Sequence, residues 1–103
     1  MEKRLLKEQE EQIAFDIVKA ILVKQVEEER IFRSNAKTYL GVLLDNNSHR
    51  TICRLYLHNK KKYIGTLCER KVETRTHINN LDEIAFFSRT LIDTVMKYEH
   101  LSR

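Results

Sequence analysis

The sequence predicts an α+β fold: a long N-terminal helix, a three- to four-stranded antiparallel meander and a C-terminal helix, in the order α-β-β-β-β-α. Three observations carry this reading. Apolar residues recur every three to four positions near both ends of the chain. Short apolar runs separated by turn residues fill the middle. No proline and only two glycines interrupt these segments, so the elements follow one another closely. Two amphipathic helices packed on one face of such a sheet would bury that face and leave the other open.

The first helix is expected from about Lys3 to Arg30. Ile13, Ala14, Ile17, Val18, Ile21, Leu22 and Val26 form its apolar stripe. Residues 1–12 are nearly all polar and are expected to be a solvent-exposed helical extension. The period then changes. "KTYLGVLLD" (37–45) reads as a strand, and "DNNSHR" (45–50) as a turn, because Asp and Asn tolerate turn geometry and bond their own backbone. Strands at about 51–58 and 62–68 are joined by "NKKK". A short fourth strand fits "TRTHI" (74–78). Gly41 and Gly65 inside strands suggest bulges or the close approach of another group. The register of the central hairpin is left open. A two- or four-residue loop sets Tyr56 opposite Gly65, and a three-residue loop moves Tyr63 to the other face. The closing helix begins near Asn80, with Glu83 placed to complete a capping box. Ile84, Phe87, Leu91, Val95 and Tyr98 make its stripe, widened by Leu81, Ala85, Ile92 and Met96.

With 42% hydrophobic residues the chain can bury a core, and 103 residues suit one domain, 1–103. "MEKRLLKEQEEQ" is charged where a signal peptide would be apolar, and no stretch is apolar enough to span a bilayer. A cytoplasmic location and no membrane partner are expected. Cys53 and Cys68 are too few for a disulfide framework. One hairpin register would bring them face to face, but two small buried hydrophobes are the simpler reading.

No complete catalytic motif is present, so no enzyme activity and no cofactor are expected. His49, His58, His77 and His100 are scattered. A zinc site from Cys53, His58, Cys68 and His77 matches no closed-site spacing. Glu69-Arg70-Lys71 is an ExK tripeptide with Asp45 upstream, and two carboxylates plus a lysine can hold the Mg²⁺ of a nuclease. That tripeptide is short, lies in the polar "CERKVETR", and is better explained as a turn. No catalytic and no metal residues are assigned.

What remains is positive charge. Residues 34–80 carry net +6 and each flanking segment net −1, within an overall +4. The excess centres on "TICRLYLHNKKKYIGTLCERK" (51–71). Arg50, Arg54, Lys60, Lys61, Lys62, Arg70, Lys71 and Arg75 are candidates for phosphate contact, and Tyr56 and Tyr63 for stacking on bases. The plain alternative is a solvated face, since lysines commonly keep hairpins and edge strands soluble.

Several strings also carry a family resemblance. They are "AFDIVKAIL" (14–22), "ERI" (29–31), "LLDNN" (43–47), "ICRLY" (52–56), "KKYIG" (61–65) and the "I..LDEI" helix start (78–84). From about Glu11 to Met96 the chain resembles the C-terminal module of bacterial predicted restriction endonucleases. These are related to the N-terminal nuclease region of type I restriction R subunits and are often labelled type IV-like. In that family the nuclease domain lies upstream of the module. No nuclease domain is expected ahead of the match in this chain, so no catalytic residue is carried over. The resemblance implies a restriction-system context and a DNA partner.

The function expected is therefore a non-catalytic nucleic-acid-binding accessory module of a restriction or defence endonuclease system, gripping the DNA backbone through the basic hairpin. The alternative is a protein-interaction or oligomerisation module. It would be a homodimer or a partner of a nuclease or defence complex, such as a free-standing phage or mobile-element protein that inhibits a defence nuclease.

Overall fold

The computed structural model describes residues 7–58, 60–67 and 72–101. Among them, α1 (Lys7–Leu22) precedes β1 (Ile31–Asn35), β2 (Leu40–Leu44), β3 (Thr51–Tyr56), β4 (Lys62–Leu67) and β5 (Glu73–Ile78), and α2 (Ser88–Leu101) follows. The strands form one sheet in the order β1-β2-β3-β4-β5, each antiparallel to its neighbour. The α+β meander with two helices on the sheet is the expected architecture, with one strand more than the sequence suggests.

The extra strand is β1, which lies where the sequence reads as the end of a helix and a loop. The first helix stops at Leu22 rather than near Arg30. The apolar spacing conceals that stop. After Leu22 the chain makes one more hydrogen-bonded turn, with the Val26 amide donating to the Leu22 carbonyl at 3.1 Å. Val26 thus keeps its i+4 place on the core although the helix has ended. Of the expected exposed extension, residues 1–6 lie outside the described residues, Glu8, Gln9 and Gln12 are exposed, and the exception is Glu11. Glu11 is buried, accepting from Arg33 at 3.2 Å and bonding His58 at 2.8 Å.

Side chains alternate between the sheet faces. Ala14, Val18 and Leu22 of α1 and Leu91 and Val95 of α2 share one core cluster with Leu40, Val42, Leu44, Cys53, Leu55, Ile64 and Ile78. Buried leucines and isoleucines of this kind cost about 2–5 kcal/mol each when truncated to alanine. Between β2 and β3 the register shifts: Val42 pairs with Cys53 but Leu43 with Thr51. The unmatched residue, Ile52, makes a bulge, so Ile52 and Cys53 both enter the core although adjacent. Beside the bulge, the Tyr98 hydroxyl of α2 donates to the Thr51 carbonyl at 2.6 Å.

The turn after β2 uses its Asx residues as expected. Asp45 and Asn46 both have positive φ, and the Asn47 side chain accepts from the His49 amide at 2.8 Å. At the other end, Leu81–Phe87 form a 3-10 helix that leads into α2. The capping box differs from expectation. The Asn80 side chain makes no cap bond, and Glu83 accepts instead from the amide of Asn79 at 2.9 Å.

Candidate nucleic-acid interface

The sheet face away from the helices carries Arg54, Tyr56, Gly65, Tyr63, Arg75 and His77. Strand pairing sets Arg54 opposite Gly65, Gly65 opposite Arg75, Tyr56 opposite Tyr63 and Tyr63 opposite His77. The hairpin register thus pairs Tyr56 with Tyr63, two residues away from the Gly65 pairing that a short loop predicts. The shift is even, so both tyrosines keep a common face. Leu57 explains the longer connection: it lies past the end of β3 but stays buried in the core, which keeps the chain on the sheet for one further residue.

Glu73 organises this face. Its carboxylate accepts from the Tyr56 hydroxyl at 2.6 Å and from Arg54 at 3.2 Å, and lies 3.6 Å from Arg75 Nε. Gly65 makes room for it, because a Cβ there would run into the Glu73 carboxylate. That is the close approach a strand glycine suggests. Gly41 is different, since a Cβ there would meet only ordinary contacts. Around the carboxylate the rings and guanidinium groups lie close together, with the ring pairs tilted at 56°. Arg75 sits 4.1 Å from the centroid of the Tyr56 ring and Arg54 5.3 Å from that of Tyr39. Tyr39 and Tyr56 pack with centroids 5.5 Å apart, and Tyr63 and His77 at 5.6 Å.

The electrostatics follow from this packing. Burial raises the Tyr56 hydroxyl above its ordinary pKa, and its bond to Glu73 adds to the shift. For Arg54 burial opposes the charge, but Tyr39, Glu73 and Tyr56 outweigh it and the guanidinium is held more firmly protonated. Two arginines and one carboxylate leave the centre of the face only mildly positive. Tyr56 is itself buried beneath Arg75, so the rings beside the Glu73 cluster that are open to a ligand are those of Tyr63, His77 and Tyr39.

The ten residues proposed from sequence divide. Arg54, Tyr56, Tyr63 and Arg75 come together on the open face. Lys60 and Lys61 lie exposed at the hairpin tip, past the Tyr56–Tyr63 pair, and neither has an ion pair among the described residues. Lys62 belongs to the helix side, where it meets Glu10 at 3.5 Å. Arg50 ends the 3-10 turn that precedes β3, at the opposite end of that strand from Tyr56. There it joins Asp45 at 3.5 Å in a cluster with Arg30 and Glu99. Lys62 and Arg50 are therefore not part of one patch with Arg54, because strand alternation and strand length separate them. Arg70 and Lys71 lie outside the described residues. Glu73, Tyr39 and His77 belong to this face and are not among those ten. The alternation in "ETRTHI", which sets Glu73, Arg75 and His77 on one side of a strand, is the signal that points to two of them.

The other candidate chemistries gain no geometry. Cys53 is buried on the helix side, with its thiol pushed up to about 12 by that burial, whereas His77 is on the open face and His58 is bonded to Glu11. Cys68 and the Glu69–Lys71 tripeptide lie outside the described residues. Asp45 is engaged by Arg30 at 2.7 and 2.8 Å, which holds its carboxyl below the usual range. Among the described residues no group of three or more His, Cys, Asp or Glu side chains is placed to hold a metal ion. No described helix is long and apolar enough to cross a membrane.

The fold and this face together define an α+β protein with an open, aromatic and arginine-bearing sheet surface. No family model, curated protein or solved structure matches the chain.

Proposed function

We propose that the protein is a non-catalytic nucleic-acid-binding module whose contact surface is the open sheet face together with the hairpin tip. The observation that carries this reading is the gathering of Arg54, Arg75, Tyr63 and His77 on the sheet face away from the helices, with Lys60 and Lys61 at its end. Cations supply contact with phosphates, and exposed rings supply a surface on which bases or sugars can lie. The resemblance of its motifs to a restriction-endonuclease module supports a role as an accessory unit of a restriction or defence nuclease system, with DNA as the nucleic acid.

The test is fluorescence anisotropy of labelled DNA across a salt series, for the natural chain and for the Lys60→Glu/Lys61→Glu variant. Two neutralised phosphates give a slope of log affinity on log salt of about −1.4 and four give about −2.8, on single strands. Charge reversal at the tip should weaken binding for every sequence alike and flatten that slope. Unchanged affinity in the variant would remove the hairpin tip from the interface.

A second reading rests on a different observation. Phe86 is 79% exposed and Met96 51%, both on the helical layer. Such side chains suit a protein partner or a second copy of the chain. Assembly through them would persist at high salt, because apolar burial is not screened. Sedimentation that shows only monomer at every salt concentration speaks against self-association.

A further inference from the structure

We infer that the open face takes single-stranded rather than duplex nucleic acid, with bases laid on the Tyr63–His77 pair and Arg75, and with phosphates held by Lys60 and Lys61. This rests on the nucleic-acid reading above and narrows its ligand. Three features of the face carry it.

The first is the kind of surface offered. Tyr63 and His77 are neighbours across β4 and β5 with ring centroids 5.6 Å apart, and His77 is exposed. Next to them Arg75, with 59% of its side chain exposed, holds its guanidinium carbon 4.1 Å from the centroid of the Tyr56 ring. Two neighbouring rings tilted at 56° to each other, and a guanidinium held close over a third ring, each offer a flat group on which the flat side of a base can lie. In a duplex those flat sides are stacked on neighbouring base pairs. They are available only in an unpaired strand.

The second is the charge at the centre. Glu73 ties Arg54 at 3.2 Å and Arg75 at 3.6 Å, so the middle of the face has a carboxylate between its two guanidiniums. A duplex laid across the sheet would bring a ridge of phosphates onto that carboxylate. A single strand can turn its bases inward there and keep its phosphates at the rim.

The third is where the other cations are. Lys62 is on the helix side with Glu10, and Arg50 is in the Asp45 cluster at the far end of β3. Lys60 and Lys61 therefore stand as a pair at one end of the platform. That suits one backbone entering the face and does not match the two phosphate rows of a duplex.

The experiment uses the full chain and a labelled oligothymidylate of about 12 nucleotides, within the roughly 4–16 that single-strand sites span. A duplex of the same length is measured in parallel, at the same salt concentrations. The expected result is tighter binding of the single strand by at least about tenfold. Replacing an exposed ring should then weaken single-strand binding by roughly 5- to 150-fold, the usual effect of losing one stacking partner. His77→Ala is the primary variant, because His77 is exposed and its replacement spares the core. Tyr63→Ala is the second, with thermal unfolding measured alongside. Duplex binding equal to or tighter than single-strand binding, with His77→Ala and Tyr63→Ala both without effect, overturns this inference and leaves the nucleic-acid reading standing. Absence of binding to either form at low salt overturns both.

Discussion

Replacing Gly65 by alanine tests the arrangement of the open face from its least conspicuous residue. A Cβ at this position would overlap the end of the Glu73 side chain rather than any backbone atom. Gly65 has no positive φ, so alanine suits the strand conformation itself. The carboxylate is then expected to swing away while the sheet stays in place. That movement breaks the 2.6 Å hydrogen bond from Tyr56 and the 3.2 Å contact with Arg54. A hydrogen bond to a charged group contributes about 1.5–3 kcal/mol. Alanine returns about 0.4–1 kcal/mol by restricting the unfolded chain. The net expectation for Gly65→Ala is a loss of about 1–2 kcal/mol, a drop of roughly 4–16 °C in Tm for a chain of this size. In a Glu73→Ala background there is no carboxylate to displace, and the same replacement should be neutral or stabilising by up to about 1 kcal/mol. Denaturant unfolding of the four proteins of this double-mutant cycle gives the coupling directly. Equal costs in both backgrounds would refute the reasoning, because the clash would then lie with something other than Glu73.

Further expectations concern the framework. Asn46 has φ of 57°, so Asn46→Ala should cost about 1–2 kcal/mol through strain in the left-handed region, while Asn46→Gly should stay within about 0.5 kcal/mol; chemical denaturation separates the two. Arg30 donates to both Asp45 and Glu99, and these hydrogen bonds hold both carboxyls below their ordinary pKa. Groups shifted in that direction stabilise the fold above their unfolded values, near pH 4, and lose that contribution as pH falls through their folded values. The Asp45→Asn/Glu99→Gln variant should therefore be less stable near neutrality by about 1 kcal/mol and lose less stability than the natural chain between about pH 5 and 2, as read by urea unfolding at each pH. Leu55 is fully buried at the centre of the sheet, and Leu55→Ala should cost about 2–5 kcal/mol in the same assay.

The meander and its covering helices are legible in the sequence because both are written in burial. Ala14, Val18 and Leu22 repeat at helical spacing, and the strands are bounded by Asx-rich or lysine-rich turns. Helix ends are less legible. No glycine or proline marks the stop after Leu22, and Val26 keeps the periodic pattern alive beyond it. β1 escapes notice because "IFRSN" has only one deeply buried residue, Ile31, to declare a strand. On the open face, Arg54, Tyr56, Tyr63 and Arg75 are found because they are cationic or aromatic in a hairpin. The lysine run misleads in part, since adjacent residues of a strand point to opposite faces and Lys62 is already in β4. Glu73 is the residue that sequence reasoning passes over. A search for phosphate contacts has no place for a carboxylate, yet this one, seated over Gly65, sets the positions of both arginines.

The central claim is that the open sheet face is where nucleic acid is held. Backbone amide shifts in a ¹⁵N-labelled sample, followed during titration with a single-stranded oligothymidylate, test it most directly. The account predicts that the amides of Arg54, Tyr63, Arg75 and His77, with those of Lys60 and Lys61, move together and saturate together. Shifts confined to α1 and α2, or none at a concentration where anisotropy shows binding, would contradict it.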